Sequence, residues 1–154
     1  MAPANLRVRK LADQKVWICA APAYAARYGA PQQPGDLERH HCLHYTYWAG
    51  GAEWRLERDG AVHLAKVAGP MRANNGDLLR CAALDGLGII MQPDFIVGDD
   101  IRTGRLVPLL PDYSVTPRGI HVLYPHRRYL SAKVRAFAEH LAVYFGEAWA
   151  HGSG

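Results

Sequence analysis

The stretch RANNGDLLRCAALDGLGIIMQPDF, residues 72–95, decides how the chain is read. It passes from a polar turn through an amphipathic segment and a Gly-x-Gly to a short apolar strand that Pro93 stops. Asn74 or Asn75 can cap a helix starting near Gly76, because a short polar side chain there accepts from an unpaired first-turn N–H. Leu78, Leu79, Ala82, Ala83 and Gly86 then recur at three and four residues, which is one face of a helix. A dinucleotide loop needs a strand, then three glycines, then a helix. Here the helix comes first and the third glycine is missing, so Gly86 and Gly88 read as a helix C-cap and a tight turn into a strand.

Working outward, VWICAA (residues 16–21) is a continuous apolar run of the kind that forms a strand buried on both faces. Pro22 opens a short helix that Gly29 stops, and PGDLERH (34–40) offers one more helical turn. CLHYTYW (42–48) reads as an aromatic strand. EWRLERDGAVHLAKVAG reads as a hairpin turning at Asp59-Gly60, with Trp54 and Leu56 set against Val62 and Leu64. LGIIM is a strand, DFIVGDDIRTG a helix ending at Gly104, RLVPLLPDY a proline-bearing edge strand and GIHVLYP (119–125) a further strand. Ser131 caps a last helix whose stripe is Val134, Phe137, Ala138, Leu141 and Phe145. Strands alternating with helices, one hairpin apart, argue for an α/β fold with a mixed sheet.

Composition narrows the function classes. The 154 residues are 49% apolar and 21% charged, an ordinary globular mix with room for a real core. No apolar run is long enough to span a membrane. The opening MAPANLRVRKLADQ lacks the apolar core of a secretory signal, so the cytoplasm is expected. The net charge of +4 comes from scattered residues, with Arg7, Arg9 and Lys10, and Arg127 and Arg128, as the only clusters. No helix carries the basic face that reading DNA requires. Cys19, Cys42 and Cys81 are odd in number and widely spaced, so each reads as a small buried hydrophobe, and Asp99-Asp100 as a solvated helix end.

Chemistry-bearing patterns are few. His40, His41 and His44 form H-H-x-x-H, but a zincin needs its histidines on one helical face with a glutamate as base. At a loop–strand boundary these read as surface or half-buried histidines. No metal and no cofactor is expected, and a small metal-dependent hydrolase built on His40, His41 and His44 stands as an alternative. No serine sits in a nucleophile turn and no catalytic carboxylate pair is visible, so no catalytic residue is assigned. The turn at Asn74, Asn75 and Gly76 has two readings. A helix N-terminus presents free N–H groups and partial positive charge that suit a carboxylate-bearing ligand; equally, one asparagine caps the helix and Asp77 offsets its dipole.

The pieces occur in a telling order: RKLADQKVWICAAPAYAARYGAPQQPGDLERHHCLHY, then W-R-L with its hairpin, then residues 72–95, then TGRLVPLLPDY, then IHVLYPHRRYLSAKVRAFAEHL. This succession closely resembles the effector-binding domain of LysR-type transcriptional regulators over about residues 6–146. The resemblance implies a periplasmic-binding-protein-like α/β fold of two subdomains, with a small effector bound between them to control transcription, and no enzyme activity. Residues 1–21 then correspond to a remnant of the first subdomain plus a crossover strand, and 22–124 to a complete second subdomain. Residues 125–148 correspond to a helix of the first, which is only partial, and 149–154 to a flexible tail. The resemblance places effector contacts at Asn74, Asn75 and Gly76 and at the crossover lip Ala21, Pro22 and Tyr24. Many relatives have Ser-Pro where this chain has Ala21-Pro22, which removes a hydroxyl. The family's winged helix-turn-helix and linker helix are not found in the sequence, so DNA contact is expected only through that absent module. The helix at 131–148 is expected to seek a partner by self-association. A free-standing solute-binding protein is the other alternative of similar fold.

Overall fold

A computed structural model describes residues 6–48, 50–125 and 131–150. In chain order it holds β1 (Leu6–Gln14), β2 (Val16–Ala20), α1 (Pro22–Tyr28), a 3-10 turn (Pro34–Arg39), β3 (His44–Tyr45), β4 (Glu53–Arg58) and β5 (Ala61–Lys66). There follow β6 (Arg72–Ala73), α2 (Gly76–Leu84), β7 (Ile90–Pro93), α3 (Asp94–Arg102), β8 (Val107–Pro108), β9 (Ser114–Val115), β10 (Arg118–Pro125) and α4 (Ala132–Ala150). The chain forms two compact units: residues 15–117, and the two ends together, 1–14 with 118–154. The sequence reading drew its boundaries at 21/22 and 124/125.

In the larger unit β2 lies between β7 and β8, antiparallel to both. Its unbroken apolar run has a direct cause: side chains alternate across a strand, and both sides are covered. Val16, Ile18 and Ala20 join a cluster with Tyr24, Leu37, Trp54 and Leu56. Cys19 joins Leu79, Ala83, Ile90, Val97 and Leu106, so α2 and α3 cover the opposite face. Parallel pairing of β3 with β6, and a parallel bridge from Cys42 to Ile89, make the pairing mixed. Gly86, at φ 78°, turns the chain out of α2. Gly88 follows where a Cβ would strike the carbonyl oxygen of His41, so only glycine lets the strand close on that segment.

Several local expectations need correction. The strand read over 42–48 shortens to His44–Tyr45, because residues 46–48 turn and the Trp48 indole donates to the Met91 carbonyl at 3.1 Å. In the hairpin, Trp54 pairs with Ala65 and Leu56 with His63, while Val62 and Leu64 stand exposed opposite Glu57 and Arg55. A two-residue turn at Asp59-Gly60 pairs even positions with odd ones, which puts Val62 and Leu64 on the outer face. Leu78 is 51% exposed, since the buried face of α2 centres on Leu79 and Ala83. Cys81 is exposed, unlike Cys19 and Cys42.

In the smaller unit β1 and β10 pair antiparallel from Leu6–Pro125 to Gln14–Arg118, with an irregularity between Lys10 and Ala12. α4 packs against β1 and buries Ala138, while Phe137, read as part of the covered stripe, is 61% exposed. Ser131 caps α4 as expected, its Oγ accepting from Val134 N–H at 3.3 Å. α4 runs to Ala150, two residues into the segment read as a tail; residues 151–154, and the Arg127–Arg128 pair, lie outside the described residues.

Asp100 departs most from expectation. It is fully buried, not solvated. Its carboxylate accepts from the Arg80 guanidinium of α2 through two nitrogens, one at 2.9 Å, and pairs with Arg105 Nη2 at 2.7 Å. Asp99, one residue earlier, is the exposed member of the pair, bonded to Arg102 at 2.8 Å. Removing the carboxylate strands two guanidinium groups that keep partial access to water. Asp100→Ala is therefore expected to cost about 3 kcal/mol in chemical denaturation, against well under 1 kcal/mol for Asp99→Ala.

Candidate functional site

The site builds upward from the N-terminus of α2. Asn75 has extended backbone (φ −126°, ψ 116°), and its Oδ1 accepts from Leu78 N–H at 3.1 Å, the geometry of an N-cap. This leaves the N–H groups of the first two helical residues, Gly76 and Asp77, without intrahelical partners. Asn74 and Asn75 are exposed, and the Asn74 side chain makes no hydrogen bond to the described residues. Gly76 is half-buried, pressed so closely onto β7 and α3 that a Cβ there would strike Ile96 and come within 2.8 Å of Gln92 Oε1. The turn thus presents polar amides and a helix N-terminus on a rigid support.

Ala21, Pro22 and Tyr24 sit at the start of α1. Ala21, the N-cap, is buried and makes no side-chain cap, and Pro22 at the first helical position is exposed. Tyr24 is 2% exposed, and its hydroxyl is used twice. It accepts from His41 N–H at 3.0 Å and stands 2.9 Å from His40 Nδ1. The direction of the bond to His40 follows the tautomer of the imidazole ring. Tyr24 therefore ties α1 to the segment that leads into β3.

The three histidines have separate environments. His41 is exposed, His40 is held by Tyr24, and His44 is buried with Nδ1 unpaired. Among the described residues no group of three His, Cys, Asp or Glu side chains is placed to hold a metal ion. A cavity of about 330 Å³ adjoins Tyr28, Pro31, Asp36, Arg39 and His40. Its carboxylate, Asp36, is already engaged by the Gln32 and Gln33 N–H groups and by Arg39. Burial pushes the thiols of Cys19 and Cys42 up to about 12, so neither supplies a thiolate at neutral pH. The hydroxyl of Ser114 donates to the Glu57 carbonyl. The turn at Asn74, Asn75 and Gly76 brings together amides and helix N–H groups of the kind that can orient a polar group.

Sequence reasoning missed two residues here, Asp100 and Gln92. The signal for Gln92 was present: a lone amide inside the apolar run LGIIMQP.

The sequence pattern of the LysR substrate binding domain matches residues 2–145. The chain belongs to that family. The HTH-type transcriptional regulator DmlR of Escherichia coli K12 is 35% identical over 148 residues, 93% of this chain and 47% of that protein. Among solved structures, the regulatory domain of CrgA, a LysR-type transcriptional regulator from Neisseria meningitidis, superposes with a TM-score of 0.80 at 29% identity. That match covers 94% of this chain and 71% of the CrgA chain. The regulatory domain of AphB from Vibrio vulnificus gives 0.75 at 32% identity, over 92% and 70% of the two chains. The α/β, periplasmic-binding-protein-like fold expected from the sequence is the fold of these domains, and the effector-binding regulatory domain is the right class. The chain spans about half the length of the full-length relatives it matches. No helix among the described residues is long and apolar enough to cross a membrane.

Two histidines set a pH dependence. Burial lowers the proton affinity of His40 and His44 below the ordinary value, with the Arg72 charge adding to it at His44. A depressed folded-state histidine means the unfolded chain binds more protons once pH falls into the ordinary histidine range, so stability drops there. The denaturant midpoint is expected to fall from about pH 7.5 to about pH 5.5, either side of that range. Asparagine at both positions should flatten the slope.

Proposed function

We propose that this chain is the ligand-sensing part of a LysR-type transcriptional regulator, and that a small carboxylate-bearing effector docks at Asn74, Asn75 and Gly76. The observation that supports this most is the first turn of α2, where unpaired N–H groups and two exposed asparagine amides share one rigid edge. A helix N-terminus favours an anion through both its free donors and its dipole. The amides add orientation without chemistry.

The lip of α1 contributes differently. Pro22 offers an apolar contact, buried Ala21 shapes the backbone, and Tyr24, its hydroxyl occupied, holds α1 in place. The lost hydroxyl of a Ser-Pro lip would shift selectivity toward effectors that need no donor there. The domain acts by differential binding: the effector stabilises one conformation, and that bias reaches a winged helix-turn-helix that contacts DNA. It carries out no catalysis, self-associates as part of its regulator, and works in the cytoplasm.

The test is a titration of the ¹⁵N-labelled chain with sodium succinate against matched sodium chloride. Amide shifts should concentrate at residues 74–77, and Asn74→Ala, which leaves the Asn75 cap intact, should weaken them severalfold. Shifts that avoid this turn, or none, reject the site. Asn75→Ala is a poorer probe, because loss of its cap alone costs about 1 kcal/mol of stability.

A further inference from the structure

Gln92 lies at the end of β7, paired across the ladder with Trp17. It is 2% exposed, and its Nε2 has no hydrogen-bond partner. Its carboxamide is aimed at α2: Oε1 is the atom that a Cβ on Gly76 would approach to 2.8 Å. Two polar side chains on the adjoining segments are already engaged. The Trp17 indole N–H donates to Asp94 at 2.8 Å, and Asn75 Oδ1 is bonded to Leu78 N–H. A buried amide with an idle donor costs stability that a packed leucine would recover, and the neighbours Ile89, Ile90 and Met91 show that the strand takes apolar side chains readily. Folding therefore does not account for a glutamine here.

We propose that Gln92 determines the specificity of the α2 site by donating from Nε2 to a carboxylate oxygen of the effector. This rests on the effector site proposed at Asn74–Gly76. The terminal torsion of a glutamine is soft and nearly two-fold, so turning the carboxamide brings Nε2 to the place where Oε1 now faces the turn. One carboxylate oxygen then meets the first-turn N–H groups of α2 and the other meets Gln92. A neutral ligand would gain from only part of this set, and a glutamate in place of Gln92 would repel the anion.

The experiment follows the Gln92 side-chain NH₂ signal and the amides of residues 74–77 together, with sodium acetate, sodium succinate and neutral succinamide as probes. Both sets of signals should move with the carboxylates and not with succinamide. Gln92→Leu should weaken succinate about tenfold or more, the loss of one hydrogen bond to a charged group, while the thermal midpoint holds or rises. Gln92→Glu should abolish the response. If the backbone turn responds while the Gln92 signal stays still and Gln92→Leu binds as the parent does, the site stands and the role of Gln92 falls. If neither signal moves, both readings fall. A lower midpoint for Gln92→Leu with unchanged affinity would make Gln92 a packing residue and overturn the proposal.

Discussion

A fully buried carboxylate is the constraint on which the larger unit turns. Asp100 sits on α3 with no exposed surface, and its charge is tolerable only because Arg80 reaches it from α2 and Arg105 from the loop beyond α3. The Arg80 pairing engages two guanidinium nitrogens, which fixes orientation as well as distance. One ion cluster therefore clips α2 to α3 on the face of the sheet that both helices cover. An apolar contact alone would hold the helices together while leaving their register free. The cluster sets it, and with it the place where the first turn of α2 ends.

Glycine at position 76 depends on that clip. With α2 anchored by Arg80, its N-terminus lands on β7 and α3 so closely that a side chain at Gly76 would displace Ile96 and the Gln92 amide. The close approach also decides which polar groups lie side by side. It sets the first turn of α2 against the buried Gln92 amide and leaves the asparagine pair exposed. Electrostatics below and close packing above thus produce a polar edge that the rest of the chain only supports.

The architecture was legible wherever one chemical cue dominated. The apolar run of β2, the helix stop at Gly29, the Asp59-Gly60 turn, the Asn75 cap and the Gly86–Gly88 turn each rest on a local rule, and each appears in the structure. What failed needed partners distant in sequence. Asp100 looked solvated because its cations lie 20 residues before it and five after. Val62 and Leu64 looked inward because both faces of that hairpin carry apolar side chains, and only the register selects one. Trp48 was read as strand because aromatic residues favour strands, yet its indole finds the Met91 carbonyl by leaving the ladder. The asparagine turn was visible from the start, while Gln92 beneath it was hidden in a run read only for its hydropathy.

Several reactive side chains of this domain are committed to its packing. A nucleophile needs a proton acceptor within reach and a lowered proton affinity; the buried thiols here move the opposite way. His40, which lines a cavity, has its Nδ1 hydrogen-bonded with the Tyr24 hydroxyl, and His44 lies buried. The groups at Asn74, Asn75 and Gly76 are neutral amides and helix N–H donors, whose protons stay in place at physiological pH. Amides of this kind suit the orienting of a ligand, and kinship to LysR-type regulatory domains makes this an effector-binding domain.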